Sequence, residues 1–357
     1  MARIQLVDAS QCFEFDEILD VRSPAEYAED HIPGAINAPV LDNEQRARIG
    51  TLYTQVSPFE AKKLGAALIA RNIASHIERH FMDKPKDWRP LVYCWRGGQR
   101  SGAMAHILSQ IGWTTGQLQG GYKAYRQLVR TALQTLPANF NFRVICGPTG
   151  SGKSRLLQAL AECGAQVLDL EALANHRGSL LGGLPDSPQP SQKGFETQLW
   201  DALRKFDPQQ LVFVEAESRR IGVLSLPDSL LHGMWQADCI RLNAGLNART
   251  TLLLEDYDHF LNQPELLLEK LDQLAPLHSR QTLAHWRHLA ENREWPQLVT
   301  ELLKLHYDPA YNRSTHSHFV RFGEALELQL PRLDSADLGE AACQLIEAPA
   351  PIEPAPR

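Results

Sequence analysis

Short apolar runs alternate with longer stretches of helical spacing along the first third of the chain. The runs at 17–21 and 91–94 have the length and composition of strands, and each leads into a helix, at 23–27 and at 101–111. Between them, 44–81 carries apolar residues at helical spacing with one break. Strand, loop and helix in this order place the loop after 91–94 where α/β sheets bind ligands, beyond the carboxyl end of a strand.

The same alternation starts again near position 142. A strand at 142–146 leads into a glycine-rich loop and a helix, and from 247 to about 306 the spacing of apolar residues is helical. Repeated units of strand, connection and helix predict a parallel sheet. The further strands expected for this sheet lie at 166–170, 211–214 and 239–242.

These patterns divide the chain. We expect an α/β protein with a parallel-sheet domain at 1–135, a polar linker at 136–141, and a second parallel-sheet domain with a helical C-terminal region at 142–346. A Pro- and Ala-rich tail at 347–357 is expected to be disordered. The segment 178–194, rich in Gly, Pro and Ser, is long for a plain connection and is expected to form a mobile lid.

The composition narrows the function classes. With 43% hydrophobic and 22% charged residues among 357, the chain has enough apolar side chains for two cores. A net charge of −6 argues against coating nucleic acid without specificity, but it leaves room for a local basic groove. Six cysteines without CxxC spacing predict neither a disulfide framework nor a zinc site. Since no leader-like start or long apolar run is present, we expect a cytoplasmic protein without a membrane segment.

One cysteine has reactive surroundings. Cys94 begins the run Cys-Trp-Arg-Gly-Gly-Gln-Arg-Ser, directly after a predicted strand. Loop amides, a helix start and the guanidinium groups of Arg96 and Arg100 all favour the thiolate form of a thiol placed there. A thiolate can take up a sulfur or selenium atom and pass it on. We therefore predict Cys94 as a nucleophile, with Arg96 and Arg100 as its catalytic partners.

Segments of the first domain together resemble the rhodanese family. They are Asp-Val-Arg at 20–22, Glu-Tyr at 26–27, His-Ile-Pro-Gly-Ala at 31–35, the loop from Cys94, and Gly-Gly at 120–121. The resemblance implies a rhodanese-like fold, with Asp20 and Arg22 paired under the loop in a structural role. One feature departs from common sulfurtransferases, in which the arginine is five positions after the cysteine.

Arg100 comes six positions after Cys94. A loop of this width is similar to that of the cell-cycle phosphatases that share the rhodanese fold. It would admit a bulkier or phosphorylated donor, so a phosphatase function stays open.

The second domain begins with a complete P-loop. Gly-Pro-Thr-Gly-Ser-Gly-Lys-Ser at 147–154 matches GxxxxGK[ST] and lies between a predicted strand and a predicted helix, the context that the motif requires. Its amides and the helix N-terminus surround phosphate. Because this geometry recognises a diphosphate, ATP, GTP or another diphosphate ester would fit. The residues expected to bind phosphate are Gly147, Thr149, Gly150, Ser151, Gly152, Lys153 and Ser154, with Ser154 also as a Mg²⁺ ligand.

Acidic residues follow two strands of this domain. Glu215 comes after the strand at 211–214, in the position of a Walker B acid that reaches Mg²⁺ directly or through water. Asp169, at the end of the preceding strand, and 176–179 are candidates for the same crevice. The alternatives are a solvated acid for Glu215 and loop residues without a ligand for the others.

The two loops on one chain resemble those of the bacterial tRNA 2-selenouridine synthases, in domain order, motifs and length. The resemblance implies a transferase that acts on the wobble 2-thiouridine of the tRNAs for lysine, glutamate and glutamine. Geranyl diphosphate would first alkylate the sulfur to give S-geranyl-2-thiouridine, and selenophosphate would then supply selenium that displaces the geranylthiol. Alkylation is needed because a thiocarbonyl sulfur is a poor leaving group.

The same resemblance implies roles for both loops. Lys153, Ser154 and Mg²⁺ would stabilise the departing diphosphate, and Cys94 would carry selenium as a perselenide. Geranyl diphosphate and selenophosphate are the expected co-substrates, and no tightly bound organic cofactor is expected. The expected partners are the anticodon stem-loop of tRNA and the synthase that makes selenophosphate.

Basic and aromatic residues of the helical region are candidates for contacts to tRNA phosphates and splayed bases. A solvated helix face with buried tryptophans is the alternative. The candidates in this region are Arg280, Arg287 and Arg293, with His285, Trp286, His288 and Trp295 interleaved. Arg219 and Arg220, which precede the helical region, add to this set.

Two other functions fit the same motifs. A phosphatase fused to an ATP-binding P-loop domain would release phosphate from an aryl phosphate without RNA. A nucleotide-gated RNA-binding or sulfur-carrier module would bind RNA in a nucleotide-dependent manner and form no geranylated product. Formation of S-geranyl-2-thiouridine in the absence of selenium separates the three.

Overall fold

The computed structural model describes residues 4–179, 181–183 and 187–347. Contacts among these residues group them into two units, one of 4–133 with 190–201 and the other of the remaining described residues. No helix in the described ranges is long and apolar enough to span a membrane.

A parallel sheet forms the centre of the first unit. Its strands are β1 (Gln5–Val7), β2 (Glu17–Asp20), β3 (Ile36–Asn37), β4 (Pro90–Tyr93) and β5 (Gly116–Leu118). The order across the sheet is β1-β5-β4-β2-β3, and every pairing is parallel. The helices of the unit are α1 (Pro24–Glu29), α2 (Asn43–Gln55), α3 (Pro58–His76), α4 (Gln99–Ile111) and α5 (Gly121–Thr135).

The helical stretch expected at 44–81 is present as α2, α3 and a π-helical turn, Ile77–Phe81. Asp42 caps the start of α2 by accepting from the amide of Gln45 at 2.7 Å. The break in the helical pattern falls at Ser57, which caps the start of α3. Strands β2 and β4 lie in the middle of the sheet, and β4 is buried along its whole length. This position explains why they stand out as apolar runs in the sequence.

The second unit contains another parallel sheet. Its strands are β6 (Asn141–Cys146), β7 (Gln166–Leu168), β8 (Leu211–Glu215), β11 (Asp238–Ala244) and β12 (Leu326–Leu330). Between β8 and β11 in sequence, β9 (Arg220–Ile221) and β10 (Leu224–Ser225) form a separate antiparallel pair. The order is β12-β11-β6-β8-β7, with parallel pairing throughout. The parallel-sheet fold predicted for both parts of the chain is therefore confirmed.

Helices cover this sheet and continue beyond it. They are α6 (Lys153–Glu162), α7 (Leu170–Ala174), α9 (Asp228–Gln236), α10 (Leu246–Asp256), α11 (Asp258–Asn262), α12 (Pro264–Asp272), α13 (Arg280–Glu291), α14 (Trp295–Leu302), α15 (Asp308–His318) and α16 (Ser335–Glu347). Between α7 and α9 in sequence, α8 (Gln192–Leu203) groups with the first unit as far as Asp201. The helical region extends to His318, past the expected end near 306. Except for Glu347, which closes α16, the tail expected at 347–357 lies outside the described residues.

The segment Pro190–Asp201 belongs to the first unit, although it follows the P-loop in sequence. The hydroxyl of Thr197 donates to the carboxylate of Asp30 at 3.1 Å, and the ring of Trp200 meets Tyr125 edge-on at 5.7 Å. The lid expected at 178–194 therefore ends in the first turn of α8, and the rest of it lies partly outside the described residues.

Candidate functional sites

Cys94 lies at the carboxyl end of β4, where the chain turns towards α4. Its side chain is 3% exposed, and its Sγ is 3.2 Å from the Oγ of Ser101. The side-chain amide of Gln117 donates to the carbonyl of Gly97 at 2.8 Å and to Ser101 Oγ at 3.2 Å. The thiol therefore sits at the base of a braced loop, in contact with a hydroxyl.

Glycines allow this loop to approach the start of α5. Gly97 and Gly121 have φ values of +66° and +59°. A Cβ at Gly121 would lie 2.2 Å from the carbonyl oxygen of Cys94, to which the amide of Tyr122 donates at 2.8 Å. Among the described residues, no backbone carbonyl accepts a hydrogen bond from the amides of Arg96 and Gly97.

The two arginines of the loop have different surroundings. Arg100 donates to both carboxylate oxygens of Glu26, at 2.8 and 3.3 Å. Burial favours the neutral form of Glu26, but the hydrogen bonds and charge of Arg100 outweigh it and lower its pKa. Arg96 is exposed and forms no ion pair within the described part of the chain. Arg100 thus braces α4 against α1, and Arg96 is the cation left available to a ligand.

A buried ion pair supports the loop from below, as the rhodanese resemblance implies. Arg22 and Asp20 are 1% and 0% exposed, with 2.6 Å between Nη2 and Oδ2. Burial opposes the charge of Arg22, but hydrogen bonds and attraction from Asp20 prevail and raise its pKa. The hydroxyl of Tyr93 donates to Asp20 at 2.7 Å, and the guanidinium lies 4.0 Å from the ring centre of Tyr122. The ion pair therefore contacts the two residues that position Cys94: Tyr93, which precedes it in β4, and Tyr122, whose amide donates to its carbonyl.

In the second unit, the P-loop connects β6 to α6 as the motif requires. Gly150 and Gly152 have φ values of +77° and +85°, which only glycine adopts without strain. The ammonium group of Lys153 folds back and donates to the carbonyl of Gly147 at 3.0 Å. The buried hydroxyl of Ser151 has no hydrogen-bond partner among the described residues.

Arg249 ties the P-loop to the helical region. Its Nε donates to the carbonyl of Thr149 at 2.9 Å, and its two Nη atoms bind the carboxylate of Asp308 at 2.6 and 3.1 Å. Leu253 packs so close to Gly150 that a Cβ there would be 2.9 Å from Leu253 Cγ. The position of the loop and the positions of α10 and α15 are therefore fixed together.

A cluster of acids faces the P-loop serine. Ser154 donates to Glu171 at 3.0 Å, and the amide of Glu171 donates to Glu215 Oε1 at 2.8 Å. Glu215 is fully buried, and its other oxygen has no partner in the described ranges. Burial and repulsion from Glu171 raise the pKa of Glu215 well above its ordinary value, and the same two causes raise the pKa of Glu217 to about 8.

The acids expected from the sequence are brought together with two that were missed. Asp169 does not end a strand: β7 stops at Leu168, and Asp169 caps α7, with burial raising its pKa. Glu171 and Glu217 escaped notice because they meet only when β7 and β8 lie side by side. An acidic residue within a few positions of each strand end was the available signal.

The acids beside the P-loop offer oxygen ligands of the kind that Mg²⁺ takes. Within the described chain, no three His, Cys, Asp or Glu side chains have an arrangement that would hold a metal ion by themselves. Mg²⁺, however, commonly takes one or two protein carboxylates and fills its remaining positions with water and phosphate oxygens. Ser154, Glu171 and the unsatisfied oxygen of Glu215 fit that requirement.

A cavity of about 1060 Å³ opens over the P-loop and the acids. His176, expected near this crevice, lines it together with Arg177, whose guanidinium lies 4.8 Å from the ring centre of Tyr257. Burial lowers the pKa of His176, so its imidazole is neutral at physiological pH. The cavity thus combines phosphate donors, acids and a neutral imidazole.

The residues expected to contact tRNA differ in their exposure. Trp286 is fully buried and donates to Glu301 at 3.2 Å, so it is a core residue and not a platform for bases. Arg219 pairs with Asp228, and Arg287 pairs with Asp272. The candidates with exposed side chains are Arg219, Arg220, Arg280, His285, His288 and Arg293.

The fold and the sites define a class of enzyme in which a rhodanese-like unit with a loop thiol precedes a P-loop unit. Comparison with known families agrees: residues 5–128 match the rhodanese-like domain, and residues 140–273 match the tRNA 2-selenouridine synthase AAA domain. The chain belongs to the tRNA 2-selenouridine synthase family of tRNA-modifying enzymes.

Relatives named tRNA 2-selenouridine synthase span different shares of the chain. One from Nitrosomonas europaea is 36% identical over 72% of this chain and 67% of its own length. One from Nitrosomonas eutropha is 38% identical over 67% of this chain and 62% of its own length. One from Alcanivorax borkumensis is 32% identical over 83% of this chain and 88% of its own length.

Proposed function

We propose that the protein converts the wobble 2-thiouridine of the tRNAs for lysine, glutamate and glutamine to 2-selenouridine in two steps. Geranyl diphosphate alkylates the sulfur, and selenophosphate then supplies selenium. The observation that carries the proposal is that one chain of this family holds both a braced loop thiol and a complete P-loop beside an acid cluster.

The P-loop cavity supports the alkylation step. The 2-thio sulfur attacks C1 of the geranyl group, the C–O bond breaks, diphosphate leaves with the electron pair, and N3 of the base loses its proton. Loop amides and Lys153 stabilise the charge that grows on the diphosphate. Mg²⁺ supplies further positive charge there when bound, and Ser154, Glu171 and Glu215 are the residues that would hold it.

The thiol loop supports the selenation step. Hydrolysis of selenophosphate releases selenide, which attacks a mixed disulfide between Cys94 and a small thiol, so that the thiol leaves and Cys94 becomes a perselenide. The outer selenium attacks C2, and geranylthiolate departs with the electron pair of its C–S bond. The small thiolate then attacks Sγ of Cys94, the S–Se bond breaks, selenium keeps the electron pair as 2-selenouridine, and the mixed disulfide forms again. The hydroxyl of Ser101, the amides of Arg96 and Gly97, and the Arg96 guanidinium are the donors available to an anionic sulfur or selenium. The P-loop binds diphosphate and the other loop carries a nucleophilic thiol, so we assign alkylation to the first and selenation to the second.

Mass spectrometry of nucleosides tests the proposal. tRNA that carries 2-thiouridine is incubated with the full chain, geranyl diphosphate and selenophosphate, and each co-substrate is omitted in turn. We expect S-geranyl-2-thiouridine when selenophosphate is withheld and 2-selenouridine when both are present. Wild-type protein that forms no geranylated nucleoside would overturn the alkylation step.

Two variants assign the steps to the loops. Cys94→Ser should still geranylate but lose selenation, and Lys153→Ala should lose geranylation. Cys163→Ser, a change at an exposed cysteine outside the loop, is the matched control. Undiminished selenation by Cys94→Ser would refute its role as the selenium carrier.

The phosphatase alternative gains no support from the geometry. It was suggested by an arginine six positions after the cysteine, and Arg100 donates instead to Glu26. If the protein released phosphate from an aryl phosphate and Cys94→Ser abolished this release, the phosphatase function would be supported.

For tRNA we propose backbone contacts by the exposed Arg220, Arg280 and Arg293. Alanine at each should weaken binding of all substrate tRNAs alike and reduce the slope of affinity against salt. Arg332→Ala, at a 71% exposed arginine outside the set, is the control. Unchanged affinity for tRNA and an unchanged salt slope in all three variants would refute the proposed contacts.

A further inference from the structure

Two exposed cysteines meet on the surface of the P-loop unit. Cys163 and Cys343 are exposed, the other four cysteines of the chain are buried, and the two exposed Sγ atoms are 3.6 Å apart. Cys163 caps the end of α6, the helix that begins at the P-loop, and Cys343 lies in α16. Since 180 positions separate them in the sequence, only the fold reveals the pair.

Both thiols are carried by helices that pack against each other. Leu156 and Leu160 of α6 share one buried cluster with Ala342 and Leu345 of α16. A disulfide bond is about 2.05 Å long, so the two sulfurs must approach by about 1.5 Å to form one. Rotation of two exposed side chains about their Cα–Cβ bonds provides such a movement while the helices stay in place. The packing of α6 against α16 therefore presents the two thiols to each other in the folded protein.

The helix α16 also supports the P-loop. A Cβ at Gly152 would lie 3.1 Å from Cδ2 of Leu333 and 3.9 Å from Cδ2 of Leu338, so both leucines pack against the loop. Leu333 comes just before α16, and Leu338 lies near its start. The helix therefore meets α6 at the end that binds phosphate and again at the end that carries Cys163. A bond to Cys163 would hold α16 against the P-loop as well.

We propose that Cys163 and Cys343 form a reversible disulfide by exchange with the disulfide of a small thiol, and that this bond secures α16 against α6 and the P-loop. The site lies outside both loops that carry the proposed function, and it does not depend on that function. In the reduced protein the two thiols share a hydrogen bond instead.

The exchange proceeds through two attacks by thiolates. The first cysteine loses its proton and attacks one sulfur of the small disulfide, whose S–S bond breaks and releases a thiolate with the electron pair. The second cysteine loses its proton, attacks the protein sulfur of the mixed disulfide in the same way, and releases the other small thiolate. The two released thiolates take up the two protons. The cysteine pair is thus oxidised by two electrons, and the small disulfide is reduced by two.

Two properties of the pair favour the bond. The fold holds the second thiol beside the mixed disulfide, so its attack is intramolecular and has a high effective concentration. The hydrogen bond with Cys343 raises the pKa of the Cys163 thiol. Its thiolate is therefore not stabilised in the reduced protein, and a stabilised thiolate is what makes a dithiol resist oxidation. Because a raised pKa also slows the first attack at neutral pH, the exchange has to be followed to equilibrium.

Mass spectrometry of peptides tests the pairing. The full chain is brought to equilibrium with oxidised and reduced glutathione, its remaining thiols are blocked, and it is digested without reduction. We expect a peptide in which Cys163 is linked to Cys343, and we expect dithiothreitol to abolish it. If glutathione is attached to Cys163 and Cys343 separately and no linked peptide forms, the proposal is wrong.

A shifted thiol supplies the geometric control. In the double variant Cys343→Ser, Gln344→Cys, a thiol remains at an exposed position of α16 but lies about 100° further round the helix. We expect this variant to take up glutathione at positions 163 and 344 and to form at least about tenfold less linked peptide. Linkage as complete as in the wild type would mean that the contact between Cys163 and Cys343 does not determine the bond, and it would overturn the inference.

Urea denaturation tests the effect of the bond on the P-loop unit, with hydrogen exchange of α6 and α16 peptides as the readout. A link between residues 180 positions apart restricts the unfolded chain, so the midpoint of the oxidised protein should exceed that of the reduced protein by about 1 M or more. The rise should be absent in Cys163→Ser and in Cys343→Ser, whose midpoints under reducing conditions should equal that of the wild type. Linked protein with an unchanged midpoint would refute the claim that the bond secures α16.

Discussion

Replacement of Asp20 by asparagine should destabilise the first unit strongly. The substitution keeps the shape of the side chain but removes the negative charge from a site that is 0% exposed. Arg22, 1% exposed, would remain charged because a guanidinium does not deprotonate at accessible pH. The expected cost is about 3–5 kcal/mol, the range for removal of one partner of a buried ion pair.

The number of contacts places the cost at the upper part of that range. Asp20 accepts from Nε and Nη2 of Arg22, from the Arg22 amide and from the hydroxyl of Tyr93. By comparison, the pair of Lys84 and Glu17 has side chains 24% and 23% exposed, so its removal by Glu17→Gln should cost only about 0–1 kcal/mol.

Urea denaturation with hydrogen exchange measured on peptides of the first unit is the suitable assay, because two units need not unfold in one transition. The double variant Asp20→Asn, Arg22→Met distinguishes charge from shape. It should be less destabilised than the sum of the single variants, since no charge is left unpaired. A loss below about 1 kcal/mol for Asp20→Asn, or strict additivity in the double variant, would refute the reasoning.

Three further outcomes are expected. The pKa of Glu26 is lower in the folded protein than its ordinary 4.5. The stabilising effect of its charge is therefore complete above pH 4.5 and is lost as the pH falls through the folded pKa. Glu26→Gln should reduce this loss of stability at low pH, measured by denaturation at a series of pH values. Gly121→Ala places a Cβ 2.2 Å from the Cys94 carbonyl at a φ of +59°, so it should destabilise the loop by more than about 1 kcal/mol and abolish selenation while geranylation persists, and normal selenation would contradict this. Leu156→Ala empties a fully buried position in the core of the P-loop unit and should cost about 2–5 kcal/mol in urea denaturation, against little change for Val223→Ala at an 81% exposed site.

The sequence was most informative where burial is complete. The strands β4 and β6 are buried over nearly their whole length, and both can be recognised in the sequence as apolar runs next to the two loops. β12 alternates apolar and polar residues but is largely exposed at the edge of its sheet, and β1 has only three residues, so neither run was distinctive.

Contacts between distant positions could not be read from the sequence. Arg100 was expected to face the thiol, and its partner Glu26 lies 74 positions away. The acid cluster depends on β8 pairing with β7. The sequence offers Trp286 and Trp295 as platforms for bases, but helical packing buries Trp286 in the core and packs Trp295 against the same core cluster.

The assignment of Pro190–Asp201 to the first unit has a consequence for synthesis of the protein. While the ribosome makes the chain, the rhodanese-like part cannot be completed when residue 133 has emerged. Asp30 and Tyr125 then lack Thr197 and Trp200, which are translated only after the whole P-loop. A fragment cut near 135 would carry the thiol loop yet expose the face that α8 covers. Production of this part alone therefore calls for a chain in which 190–201 is supplied, by fusion or as a separate peptide.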